Sequence, residues 1–122
     1  MILFAALLLA GAGQTQLDMD RAAGLAHQRA DAAMNVQYRA TMARMRTMDG
    51  YHAPDAQTGP SYENALLASQ RAWLKFRDAE CVIEGYQFRG GSAQPMAQSQ
   101  CLADVTKQRT QQLKMLARSP DQ

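Results

Sequence analysis

The chain has 122 residues, with 13 Lys and Arg against 11 Asp and Glu, and 47% of its residues are hydrophobic. That is one domain's worth of nearly neutral sequence. A nucleic-acid binder of this size would show a clustered basic excess, which is missing, so no nucleic-acid partner is expected. Alanine and other helix formers abound and β-branched residues are few, which points to an all-α domain.

The chain opens on "MILFAALLLAGA", uncharged and apolar from Ile2 to Ala10. Ala10-Gly11-Ala12 has the small-x-small pattern of a secretory cleavage site, placing a cut near Gly13. Residues 1–12 are therefore expected to be a signal peptide, and 13–122 a single exported helical domain of about 110 residues, periplasmic or secreted. The apolar run is shorter than the about 20 residues that a membrane-spanning helix needs, so no integral membrane segment is expected after the signal is removed. No Lys or Arg precedes the apolar run, although a secretion signal normally carries one.

Two stretches break the rest of the chain: "DGYHAPDAQTGPS" (Asp49 to Ser61) and "RGGSAQP" (Arg89 to Pro95). Both have the Gly, Pro and Asp content of loops. Three helical segments lie around them, from about Gln16 to Met48, Tyr62 to Gln87 and Met96 to Ala117. Ser61 is placed to cap the second, with Glu63 favourable in its first turn. Apolar residues recur at helical spacing in each segment. Met34, Tyr38, Thr41, Met45 and Met48 form one stripe. Leu66, Trp73, Leu74, Phe76 and Ile83 form the second, and Leu102, Val105, Leu113 and Leu116 the third. Three amphipathic helices with short connections predict an antiparallel three-helix bundle.

Each stripe also contains a charge: Asp31 in the first, Arg77 in the second and Arg109 in the third. Charges on buried faces are normally paired. The pattern therefore predicts a structural ion network of Asp31, Arg77 and Arg109 across the helices, with Asp31 as the partner of Arg77. Glu80 and Glu84 stand within reach on the same helix. A carboxylate tuned by arginines for catalysis is the competing reading. No nucleophile or metal ligand accompanies these charges, so the structural reading is preferred. Arg71, Lys75 and Asp78 project to the outer side of the second helix. Gln70, Trp73, Arg77 and Cys81 project inward.

Cys81 and Cys101 are the only cysteines. An even count in an exported chain suggests a disulfide between helices 2 and 3, with two free buried thiols as the alternative. The bond would close a loop of about 20 residues and contribute on the order of 3 kcal/mol in the loop-entropy description. Met42, Met45 and Met48, with His52 nearby, have a spacing that Cu(I) sites use. Methionines at helical spacing are more simply core filler. The two histidines, His27 and His52, form no zinc pattern. No serine lies in a G-x-S-x-G turn and no glycine-rich phosphate loop occurs. No cofactor, metal or catalytic group is therefore expected. Gly90-Gly91 permits a tight turn, with Arg89 at its base; Arg89, Gly90 and Gly91 are the candidate partner loop.

The blocks "ADAAMNVQYRATM" (Ala30–Met42), "ASQRAWLKFRDAEC" (Ala68–Cys81), "GGS" (Gly90–Ser92) and Cys101, Thr106, Arg109, Leu113 occur in this order. Together they resemble the lysozyme inhibitor LprI-like N-terminal domain family of exported bacterial proteins, over about Asp18 to Leu116. The signature positions are Asn35, Tyr38, Gln70, Arg71, Trp73, Arg77, Asp78, Cys81, Cys101, Arg109 and Leu113. The family commonly has a further cysteine pair at the start of helix 1, which "QTQLDMDRAAGLAHQ" does not contain. The resemblance implies a small non-enzymatic envelope protein whose partner is lysozyme or another envelope protein. A structural or stress-related envelope domain with no lysozyme contact is the alternative.

Overall fold

The computed structural model describes residues 15–52, 55 and 58–118. The expected signal peptide and cleavage point lie outside the described residues. The chain forms α1 (Thr15–Tyr51), α2 (Tyr62–Gly85) and α3 (Gln94–Ala117), with a one-turn 3-10 helix, Tyr86–Phe88, after α2. No strand occurs among the described residues. α1 runs through Gly24 without interruption and is the longest element at 37 residues.

Cross-helix contacts fix the directions. Arg46 near the end of α1 meets Glu63 near the start of α2 at 3.0 Å, and Asp31 meets Arg77 farther along. α2 and α3 meet at Cys81 with Cys101 and again at Gln70 with Arg109. Both pairings are antiparallel, so α1 and α3 run in the same direction. These two make the most extensive contact in the fold.

The sequence around the first break explains how α2 begins. A helix start leaves backbone N–H groups without partners. Ser61 accepts from the Asn64 N–H at 3.1 Å. Asp49, in the last turn of α1, takes the Tyr62 N–H on one oxygen at 2.8 Å and the Glu63 N–H on the other at 3.1 Å. One carboxylate thus ties the end of α1 to the start of α2 and places a negative charge at a helix N-terminus, where it is favoured.

Met34, Met42, Met45, Leu66 and Leu113 form the buried core, with Tyr38, Leu67, Trp73 and Leu74 packed against it. Ala23 and Ala30 continue the buried face of α1 toward its start. Small side chains there allow a close approach of neighbouring elements. Met42 and Met45 are buried within this cluster, as core packing requires. Buried Thr41 donates to the Leu113 carbonyl of α3 at 2.9 Å, so the hydroxyl joins α1 and α3 inside the core.

Three residues expected in the core stripes are outside it. Phe76, Ile83 and Leu116 are 55%, 63% and 50% exposed. The bundle closes around the side of α2 that carries Leu66, Gln70, Arg77, Cys81 and Gly85. That buried side holds more polar residues than a stripe drawn through apolar residues alone can contain. Apolar positions farther round the helix are left in solvent.

Candidate functional site

Two regions concentrate the residues singled out from the sequence: a polar layer inside the bundle and the turn between α2 and α3. In the polar layer, Arg77 of α2 donates from Nη1 to Asp31 of α1 at 3.2 Å and to the Thr106 hydroxyl of α3 at 3.4 Å. Its Nε and Nη2 both reach Asp78 Oδ1 at 2.9 Å. Asp78 projects outward yet bends back to this guanidinium. Glu80 and Glu84 form no ion pair with Arg77; Glu84 accepts from Gln87 at 3.4 Å.

Arg109 is not part of the ionic network predicted for it. Its Nε donates to Gln70 Oε1 at 2.9 Å, its Nη2 to Ser69 Oγ at 3.0 Å and its Nη1 to Gln112 Oε1 at 3.4 Å. All three acceptors are neutral. Burial without a carboxylate pushes its pKa down from the ordinary arginine value. A guanidinium tolerates such a setting because it is weakly hydrated and offers five donors in a plane. Trp73 links the two arginines: Arg77 Cζ lies 5.4 Å and Arg109 Cζ 5.8 Å from a Trp73 ring centroid, both within cation–π range. Gln70 spends its amide N–H on Met34 Sδ at 3.5 Å. No buried side-chain N or O lacks a partner among the described residues. The buried polar atoms of the layer are all satisfied within the bundle, while the Asp31 and Asp78 side chains at its edge stay 41% and 64% exposed.

The second region is the turn. Its base is held by the Cys81–Cys101 disulfide, whose Cα atoms are 5.4 Å apart. Gly85 is buried at the end of α2, and a Cβ there would stand 3.3 Å from Gln98 Cβ, so α2 and α3 are drawn together just below the turn. Beyond it, the Arg89 N–H bonds the Tyr86 carbonyl at 3.1 Å and the Gly91 N–H the Phe88 carbonyl at 2.8 Å. Gln94 Oε1 accepts from the Gly90 N–H at 3.0 Å. Gly90 has φ +78°, a left-handed conformation that glycine adopts without penalty. A Cβ on Gly91 would press on the Phe88 carbonyl at 3.2 Å. The backbone thus favours glycine at Gly90 by its conformation and leaves little room for a side chain at Gly91.

This hydrogen-bonded turn carries exposed side chains of a particular kind. Arg89 is exposed, its Cζ 4.4 Å from the Tyr86 ring centroid, and it pairs with no carboxylate among the described residues. Tyr86 and Phe88 are 44% and 46% exposed. The sequence points to Arg89, Gly90 and Gly91 here but not to Tyr86 and Phe88: Tyr86 falls inside the segment expected to be helical, and Phe88 between that segment and the expected loop. An arginine with two aromatics is the composition that dominates protein–protein hot spots.

At the opposite end, a cleft is lined by Asp49, His52, Asp55, Thr58, Ser61 and Tyr62. Both Asp49 oxygens are committed to α2, and the His52 ring lies against Tyr62 at 6.4 Å. Among the described residues, no group of three or more His, Cys, Asp or Glu side chains is placed to hold a metal ion. No described helix is long and apolar enough to cross a membrane.

No solved structure matches the chain. A protein of Rhizobium meliloti (strain 1021), described as "Uncharacterized protein R02472", is 39% identical over 108 residues, covering 88% of this chain and 77% of that one. The family model described as "Lysozyme inhibitor LprI" matches residues 10–113, which include α1, α2, the turn between α2 and α3, and α3 as far as Leu113. The chain belongs to the LprI lysozyme inhibitor family.

Proposed function

We propose that this protein is exported and acts without enzymatic chemistry, by binding lysozyme and occluding its cleft with the turn between α2 and α3. The observation that carries this reading is Arg89: exposed, stacked on Tyr86 beside Phe88, and mounted on a turn held by a disulfide and two glycines. Such a turn loses little freedom on binding. A lysozyme cleft contains a pair of catalytic carboxylates. A guanidinium brought to them gains charge-assisted hydrogen bonds in a site that becomes water-poor once covered. Family membership supports the choice of lysozyme as partner, and the disulfide fits an oxidising compartment.

The net charge of +2 favours a second reading, a structural envelope domain with no lysozyme contact. Many lysozymes are strongly basic, so long-range attraction would not assist their encounter with this chain. The inhibitor reading therefore relies on a short-range fit. Clearing of a bacterial cell-wall suspension by lysozyme separates the two. Inhibition that rises with the molar ratio of oxidised protein supports the first reading. Undiminished lysis at a hundredfold molar excess leaves only the second.

A further inference from the structure

The face of α2 turned away from the bundle is apolar along nearly its whole length. Ala65, Ala68, Ala72, Phe76, Ala79 and Ile83, with Tyr86 one residue past the end of α2, recur at helical spacing and are all exposed. Lys75 is the one charged residue close to their midline. The run from Ala65 to Tyr86 is about 32 Å long at 1.5 Å per residue. An exposed helix face ordinarily alternates charges, and nothing in the fold requires this one to be apolar.

We propose that this face pairs with the same face of a second copy of the chain, the two α2 helices antiparallel about a two-fold axis between residues 75 and 76. The size gradient along the stripe argues for it. Three of the four alanines, Ala65, Ala68 and Ala72, lie toward the N-terminal end, and Phe76, Ile83 and Tyr86 toward the C-terminal end. A parallel pair would set alanine on alanine at one end and bulk on bulk at the other, splaying the helices. The antiparallel pair sets Ala65 opposite Tyr86, Ala68 opposite Ile83, Ala72 opposite Ala79, and Phe76 beside the Lys75 stem. Large meets small toward both ends of the pair, Ala65 with Tyr86 and Ala68 with Ile83, as close packing favours. This is the self-complementary surface that an isologous interface needs. The flanks agree with it, because like flanks meet in an antiparallel pair. Arg71 comes near Asp78 of the second copy on one side, and Ser69 near Glu80 on the other. A contact one helix wide and about 32 Å long belongs with small interfaces, so the dimer is concentration-dependent, with a Kd in the micromolar range. The face shares Tyr86 with the Arg89 turn, but the pairing does not depend on the lysozyme reading.

Sedimentation equilibrium of the purified oxidised protein from about 1 to 500 μM tests the pairing. A monomer–dimer equilibrium is expected, with Phe76→Glu and Ile83→Glu each raising Kd at least tenfold. Their melting should stay within a few degrees of the parent, since both side chains are already exposed. A spin label at Ser92→Cys, introduced after the native disulfide has formed, reads the direction. Label-to-label distances on the order of 40 Å fit two antiparallel helices of this length, with the turns at opposite ends. A monomer at every concentration, a dimer indifferent to both glutamates, or labels at half that distance would each overturn the proposal.

Discussion

Arg77 of α2 and Arg109 of α3 approach the same Trp73 indole yet are neutralised differently. Arg77 has two carboxylates, Asp31 and Asp78, whereas Arg109 has only amides and a hydroxyl. The two arginines should therefore respond to substitution in different ways.

For the ion pair, loss should depend on which partner is removed. The Arg77 side chain is 11% exposed and that of Asp31 41%. Asp31→Asn leaves Arg77 with Asp78 and Thr106, and the pair is partly screened by solvent, so the cost should be below about 1 kcal/mol. Arg77→Leu removes bonds to three residues and the contact with Trp73, and should cost about 2–3 kcal/mol. Urea denaturation of both variants checks the asymmetry; equal losses would mean that the buried arginine is held by Asp31 alone.

For Arg109, the acceptor matters more than any charge. Gln70→Ala should leave the buried Nε without its closest acceptor and cost about 1–3 kcal/mol. Its folded pKa is lowered by burial, so deprotonation would favour the folded state, but only in strongly alkaline solution. Arg109 therefore contributes nothing to the pH dependence of stability in the neutral range. A thermal melt series from pH 5 to 9 should thus show the same Gln70→Ala deficit throughout.

Reducing Cys81–Cys101 should destabilise the bundle by about 3 kcal/mol, given the sequence separation of 20. The effect should be largest near the turn. Amide hydrogen exchange at Arg89, Gly90 and Gly91 is expected to accelerate on reduction, while exchange at Met45 and Leu66, at the far end of the core, changes less.

Asp49→Ala should uncover two N–H groups at the start of α2 and cost about 1–2 kcal/mol, more than an exposed loop residue normally would. A melting temperature within a degree of the parent would show that water replaces the carboxylate without loss.

Much of this architecture is legible in the sequence because helix periodicity, Ser61 and the two Gly/Pro breaks are local signals. Met34, Met45 and Leu113 fall where their spacing puts them, and the disulfide joins α2 to α3. Failures came where partner choice is three-dimensional. Nothing local says that Arg109 will take Gln70 rather than a carboxylate, or that Asp49 will reach 13 residues ahead to Tyr62. Phe76 and Ile83 have core-like spacing, yet the bundle buries a more polar side of the same helix. Tyr86 and Phe88 join the exposed turn because α2 stops at Gly85, where close packing on α3 ends it.

The claim that matters most is that Arg89 and its turn contact lysozyme, and inhibition kinetics of Arg89→Glu against the parent protein test it directly. Arg89 makes no ion pair within the described chain, so the substitution should leave the melting temperature unchanged. The inhibition constant should rise at least tenfold, because a carboxylate would then face the cleft's own carboxylates. Equal inhibition by parent and variant, or none by either, would contradict it.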